Sequence, residues 1–563
     1  MKIFKSNHSK NIFLLIILSY AVLMMGNGLV ALTHPDEVFY AQTAKEMFER
    51  NEWLTPYIFD QPQFEKPVLF YWLIIPALKI FGMTSFAARF WPAFFGILGV
   101  VVTYWISWMM FGNKRTSFLS ACILCSSFIY VALSRAVITD IVFSTWVITS
   151  IGFFYLAYQK RKYKTSGIIL MSAFAGIAVL TKGLLGLCFP LAVIAIYLLM
   201  RKDMSFLKTP AVLWGMLVFL IIALPWHLWM YHAHGQSFID EYFHNVHVRR
   251  LFDAEHQKCD TWYFYFMTMI GGVFPWTFYV IPAVALAVKQ VRNKYVQSPP
   301  LMFLFAWVIG VYIFVQPAKS KLASYIFPAI PAIAVLVAYY ISNVTEPTKK
   351  LSIRGIKWAS IVLGVFLLLA AGLLVSFSRR HVDIVVNMAP IYIFSVLLVF
   401  IALAIMLFLR KEQYSKIVYV VPLTTVCMIF FLLSGKFYAE PWVSCKEICD
   451  RLKKIDQSDS TLLASKFYVR GVRYFTGRDV AVMDICGREF FSPHPIPFLI
   501  SDDQVMVFLA EQPGDVYGVV KISTFKDLER IMGNSPYQMT CLDYVGEKYI
   551  VKIEKEGGNK QEI

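Results

Sequence analysis

Apolar residues run through this chain in long unbroken stretches rather than in alternation. Residues 12–30 and 358–377 are typical, and neither stretch contains a charge. About 20 such residues in a helix cross the hydrocarbon core of a bilayer, and an isolated spanning segment satisfies its backbone only as a helix. The pattern predicts thirteen spans, centred near residues 21, 97, 125, 150, 174, 192, 220, 276, 308, 331, 368, 400 and 426. An odd number puts the two termini on opposite faces. Between the first two spans, 33–82 breaks the pattern. In 36–50 the residues Val38, Ala41, Ala44, Met47 and Phe48 recur at helical spacing, which predicts an amphipathic helix lying on the membrane surface. Residues 68–81 are apolar but too short to cross. After about 436 short apolar runs (461–464, 505–509, 518–520, 549–553) alternate with helical patterns (443–454, 524–532). The expected fold is therefore all-α and polytopic, with about 13 transmembrane helices in 1–436. A small α/β domain follows in 437–563, with a disordered tail from 554. The first run lacks a small-residue cleavage site and leads straight into Asp36, so an uncleaved anchor is expected.

Charge orients these spans. The chain has 563 residues, is 58% hydrophobic and carries a net +17. Segments 1–11, 112–117, 159–166, 201–209, 289–299, 342–357 and 410–416 hold 22 Lys and Arg against three acids (Asp203, Glu346, Glu412), a net of +19. The remainder, with 31 basic and 33 acidic residues, nets −2. The basic excess thus follows the positive-inside rule, and no nucleic-acid partner is needed to explain it. The seven basic segments are cytoplasmic on this topology. The C-terminal domain is then outside, where Cys259, Cys445, Cys449, Cys486 and Cys541 meet an environment that permits disulfides, with pairing left open. Neither a Walker loop nor a dinucleotide glycine motif is present, which argues against a nucleotide cofactor.

On the same topology the ionisable residues that interrupt the apolar runs gather at the outer face, and charges at membrane depth mark sites. Asp36, in His34-Pro35-Asp36-Glu37, reads as a helix N-cap or as a general base for an acceptor hydroxyl or amine; one carboxylate can serve as both. Lys66, in Phe64-Glu65-Lys66-Pro67, reads as a snorkelling interfacial lysine or as a phosphate ligand, with Glu65 holding a metal or the substrate. Asp140 needs a partner, and Arg135 is near in sequence. Lys182, in LTKGLLGLCFP, sits in a turn too tight for it to leave the interface, which favours an anionic ligand. His244 and His247 stand at i and i+3 in HNVHVRRLFDAEH, one helical face that suits a divalent ion; hydrogen-bonded structural histidines are the other reading. Lys319 and Lys321 run against positive-inside and ask for an anion such as a lipid phosphate. Together, carboxylates suit acid–base work at a sugar, and a ring of cations suits a departing phosphate. The donor would be a sugar on a lipid phosphate, because nucleotide sugars and ATP are not available outside a bacterial inner membrane.

The motifs PDEVFYAQTAKEM, FEKPVLFYWL, RAVITD, LTKGLLGLCFP, WYFYF and KSKLASYIFPAIPAIA occur in this order over about residues 15–345. They resemble those of the GT-C glycosyltransferases, in particular the ArnT-like branch (lipid A aminoarabinose transferases), related to protein O-mannosyltransferases. The resemblance implies inverting transfer from undecaprenyl phosphate, in the inner membrane, with the active site and C-terminal domain periplasmic. It implies that Asp36 is the base or acceptor-orienting residue and Asp140 a second acidic position. Glu65 matches a metal-binding glutamate, while Lys66, Lys182 and Tyr325 match contacts to the carrier phosphate. Lys319, Lys321 and Arg250 are assigned to the same lipid phosphate, and His247 then His244 to a metal. Two departures stand out. Position 39, where the family often has arginine, is Phe39. His247 keeps the family's spacing to Arg250, but Leu251 follows where phenylalanine is usual, and His256 before WYFYF has no clear role. The acceptor expected is a lipid A-type glycolipid or another periplasmic molecule, with protein O-glycosylation as the alternative. A lipid-linked sugar flippase would need repeated halves and polar groups on both faces, and neither is seen. A divalent metal remains open.

Overall fold

A computed structural model of the chain describes residues 7–253, 260–293, 298–346, 352–380, 388–487, 490, 496–533 and 535–555. It divides into two compact units. The first comprises Met1–Asn27, Lys66–Phe70 and Arg89–Ser434. The second comprises Gly28–Glu65, Tyr71–Ala88 and Gly435–Ile563. His256 and most of the tail from 554 lie outside the described residues.

Among the described residues eight helices are long and apolar enough to cross a membrane, or ten if the bent pairs Lys114–Cys125 with Phe128–Ser134 (63°) and Phe264–Gly272 with Thr277–Arg292 (106°) each count as one span. The shorter apolar helices His8–Leu23, Leu185–Arg201 and Pro299–Val315 stand at the three remaining predicted centres. The chain is a multi-pass helical membrane protein. Burial separates its inner helices from its lipid-facing ones. The apolar windows of Ala323–Val344 and Thr139–Gln159 are 83% and 78% buried, against 22% for Pro210–Phe252. An apolar helix left this exposed is one that meets lipid.

The second unit holds the helix Asp36–Glu49, and here the expected surface helix is corrected. Both faces are buried, including polar Glu37, Gln42, Thr43 and Glu46. Most of their groups are satisfied locally, Gln42 Oε1 being the exception. Thr33 donates from N and Oγ1 to Glu37 Oε2 at 2.9 and 2.8 Å. Glu46 accepts from Gln42 Nε2 (2.7 Å) and from the backbone N–H groups of Phe59 and Asp60 (3.0 and 2.9 Å). Apolar spacing cannot foresee polar side chains that are buried because they are hydrogen-bonded. Strands β1 (Tyr57–Ile58) and β2 (Gln61–Pro62) form a small antiparallel hairpin.

The rest of this unit is an α/β layer. Strands β3 (Leu462–Ser465), β4 (Val480–Met483), β5 (Phe498–Leu499), β6 (Val516–Lys521), β7 (Tyr537–Val545) and β8 (Lys548–Lys555) pair in the order β5-β4-β3-β6-β8-β7. β5, β4, β3 and β6 run parallel, while β8 and β7 are antiparallel. The apolar run 505–509 is not a strand but part of the helix Asp502–Glu511. Ser501 caps that helix and Gln504 accepts from the Ile500 N–H at 2.8 Å, a start signal that outweighs the strand-like run.

Candidate active site

In the first unit, helices Thr139–Gln159 and Lys164–Lys182 are joined by the short turn Arg161–Tyr163 and packed along their length. This hairpin returns the chain so that the start of one helix meets the end of the other. Asp140 in a first turn and Lys182 in a last turn each complement the helix dipole. They form an ion pair at 2.5 Å, with side chains only 9% and 8% exposed. The sequence-based expectation of a free Lys182 facing an anion is corrected to that extent. The nearby Arg135 is not the partner of Asp140: it donates to the carbonyls of Val22 and Met25 at 2.9 and 3.0 Å.

Further residues join this pair. The Lys182 ammonium lies 5.1 Å from the centre of the Tyr325 ring. Arg250 Nη1 stands 3.3 Å from the Tyr325 hydroxyl it donates to. Gly183, at φ 90°, turns the chain after Lys182, and a Cβ there would lie 2.7 Å from His247 Nε2. His247 Nδ1 donates to the Tyr242 carbonyl at 2.5 Å, so Nε2 is the nitrogen facing the turn. The charge of buried Lys66 reaches the His247 ring. Lys182, Arg250, Tyr325 and His247 thus come together from three segments, with the charge of Lys66 reaching them from a fourth. Lys321 is buried and paired with Asp260 at 2.5 Å, whereas Lys319 is exposed. The lysine loop is tied to the histidine loop by the backbone bonds Lys319 N to Leu251 O (3.3 Å) and Ser320 N to Arg250 O (3.1 Å).

His244 is exposed while His247 turns inward. Residues Ile239–Arg249 form a π-helix, whose i→i+5 turn rotates i and i+3 further apart than an α-helix does. The expectation that both imidazoles share a face is corrected for that reason.

In the second unit, Pro35 takes the cap position without a side-chain bond, and Asp36 is the first helical residue. Glu37, not Asp36, closes the turn by reaching back to Thr33. The approach to Asp36 is held from the C-terminal segment: His34 N donates to Val443 O at 3.1 Å and Ser444 Oγ to Leu32 O at 2.8 Å. The His34 ring packs edge-on against Phe467 and Tyr468, and Cys445 Sγ sits 3.7 Å from its Nδ1. Burial, with the charge of Lys548, depresses its pKa to about 4. Glu65 is positioned by Gln63, which accepts from the Glu65 N–H (3.0 Å) and donates to the Tyr71 hydroxyl (2.8 Å).

Residues 9–236 match the model of the dolichyl-phosphate-mannose-protein mannosyltransferase family. The chain is 30% identical over 358 residues to an uncharacterized protein of Aquifex aeolicus, covering 63% of this chain and 69% of that one. It is 32% identical over 334 residues to the undecaprenyl phosphate-alpha-4-amino-4-deoxy-L-arabinose arabinosyl transferase of Yersinia enterocolitica. Among solved structures, ArnT from Cupriavidus metallidurans bound to undecaprenyl phosphate superposes with a TM-score of 0.77 at 18% identity, covering 97% of this chain and 98% of that one. The chain has the fold of ArnT and resembles the arabinosyl transferases in sequence. The ArnT likeness speaks for the fold alone. The match to the Yersinia transferase spans 58% of each chain.

Measured against the ArnT-like expectation of a metal, the residues do not fit one as placed. Among the described residues no three His, Cys, Asp or Glu gather around a common point. Glu65 faces Arg470, and His247 Nδ1 is engaged by a carbonyl, so no step below runs through a metal. Sequence reasoning missed Asp260, the partner of Lys321, and Arg470. Asp260 lies just before the WYFYF motif and Arg470 in a stretch without one; the only available signal was a lone acid or base beside aromatics (Asp260-Thr261-Trp262-Tyr263; Phe467-Tyr468-Val469-Arg470).

Proposed function

We propose that this ArnT-like chain transfers a sugar from a polyprenyl (undecaprenyl) phosphate to a lipid A-type glycolipid or another periplasmic acceptor. It works in the bacterial inner membrane, with its site at the periplasmic face. The observation that carries this reading is the cluster of Lys182, Arg250, Tyr325, His247 and Lys66 at the helix hairpin, a set of donors suited to a phosphate. Similarity to the Yersinia arabinosyl transferase supports the donor class.

In this reaction the acceptor oxygen attacks the anomeric carbon from the face opposite the phosphate. The bond from that carbon to the phosphate oxygen breaks, and the electron pair leaves with the polyprenyl phosphate. Lys66, Arg250 and Tyr325 stabilise its growing charge. Asp36 takes the acceptor proton. Asp140 orients Lys182, which therefore acts beside the phosphate as half of a neutral pair. The match to the mannosyltransferase family model favours one second reading, transfer to a protein hydroxyl.

The test compares lipid A and glycoprotein masses from cells expressing wild type, Asp36→Asn or no chain. A lipid A mass increase in wild type that Asp36→Asn lowers by about 10²–10⁴ in rate, at unchanged membrane insertion, supports the proposal. A mass increase confined to protein supports the second reading. An active Asp36→Asn removes Asp36 from the mechanism.

A further inference from the structure

Arg135 follows the helix Phe128–Ser134 of the first unit as its C-cap. Its Nη1 and Nη2 donate to the carbonyls of Val22 and Met25, at the end of the first helix. Carbonyls orient a guanidinium but do not neutralise it, and its fork has further N–H groups to offer. Among the described residues Arg135 enters no ion pair. The charge of Arg89, itself held by the Asn27 carbonyl at 2.9 Å, reaches it as well. A positive centre at the edge of an apolar bundle is costly without an anion.

Arg135 lines a groove walled by Val131, Ala132, Met428, Ile429 and Leu432. At Thr425 this groove passes into a second stretch, walled by Leu18, Val22, Phe118, Leu423 and Val426. The two stretches measure about 670 and 950 Å³, a size that holds a small-molecule ligand. Arg135 is the one charged residue lining either stretch. The hydroxyls of Thr425 and Ser126 both donate to carbonyls, at 2.6 and 2.7 Å, so they ask nothing of a ligand. Ala132 and Leu432 are exposed, which leaves the groove open to the bilayer. From Val418 to Leu433 it runs roughly 20 Å, at about 1.5 Å per helical residue. One leaflet contributes about 15 Å of hydrocarbon, so a whole acyl chain has room.

The molecule that fits joins an anionic head to a long apolar tail. We propose that this groove binds an anionic glycerophospholipid of the surrounding leaflet, with its phosphate on Arg135 and one acyl chain along the walls. The lipid supplies the anion that Arg135 lacks and fills the space between the first helix, Phe128–Ser134 and Leu423–Ser434. The site shares no residue with the Lys182 cluster and does not depend on the transferase reading.

The test is phosphatidylglycerol binding to the purified full-length protein in detergent, read by native mass spectrometry. Phosphatidylcholine with the same chains has no net charge and is expected to bind about tenfold more weakly, the scale of one charged hydrogen bond. Arg135→Gln keeps donors for the two carbonyls but drops the charge, and is expected to bring phosphatidylglycerol down to the phosphatidylcholine level. Ala132→Phe fills the groove at an exposed position while keeping Arg135. It is expected to lower both lipids to background, and it serves if Arg135→Gln does not fold. Equal binding of the two lipids by wild type, or unchanged phosphatidylglycerol binding in either variant, overturns the proposal. Undecaprenyl phosphate that outcompetes phosphatidylglycerol at equal concentration, in wild type but not in Ala132→Phe, gives the groove to the polyprenyl carrier and overturns the phospholipid assignment.

Discussion

Each unit holds a deeply buried ion pair, Arg478 with Asp456 in the second, but the second unit also has arginines shared between exposed acids. In the first, Asp140 and Lys182 are paired one to one, with less than a tenth of either side chain exposed. In the second, Arg473 is shared between Asp60 and Asp479, whose side chains are 52% and 76% exposed. Arg451 likewise bridges Glu447 and Asp543 near the surface. The difference teaches where a charge is replaceable. Deep in an apolar helix pair, water cannot take over a missing partner, so each ion depends on the other. At the exposed acids of the α/β layer water screens and substitutes.

This contrast is best broken at the membrane pair. Lys182→Met should destabilise the protein by about 3–5 kcal/mol, because Asp140 would be left buried and uncompensated. Combining it with Asp140→Leu should recover most of the loss. Melting of the detergent-purified protein measures both, and single and double variants that melt alike would mean the pair is hydrated.

A smaller effect is expected at His34. Its pKa is depressed to about 4 by burial, below the ordinary value near 6.5, so the unfolded chain binds the extra proton first. The stabilisation from a neutral His34 is present above pH 6.5 and is lost as pH falls toward 4, with an upper bound of ~3 kcal/mol. His34→Gln should flatten the melting profile over that window; an unchanged profile would show that His34 does not titrate there. The smallest effect is expected at Arg530, exposed and paired with exposed Asp502. Arg530→Ala should leave melting unchanged within error, and a clear loss would show that surface pairs of the second unit matter more than their exposure suggests.

Much of the fold was legible in advance. Each of the thirteen apolar runs corresponds to an apolar helix or a bent helix pair, because hydropathy is a local property and a bilayer accepts little else. Of the candidate residues, Lys66, Lys182, His247, Arg250 and Tyr325 are brought together in the first unit. Hidden from view were their partners. Asp140 chooses Lys182, 42 residues away, over Arg135 only five away, because a helical hairpin aligns the two ends. His244 and His247 diverge because the local turn is a π-helix rather than an α-helix.

The amino-acid order by itself determined the spans, the charge asymmetry between loops and the set of residues able to handle a lipid phosphate, since composition and spacing act within short stretches. Only the tertiary structure decided which ions neutralise each other, that the helix after Asp36 is buried on both faces, and that Arg470 comes to rest on Phe39 and Glu65. Those outcomes depend on segments tens to hundreds of residues apart returning to one place, and nothing in a linear pattern encodes the geometry of that return.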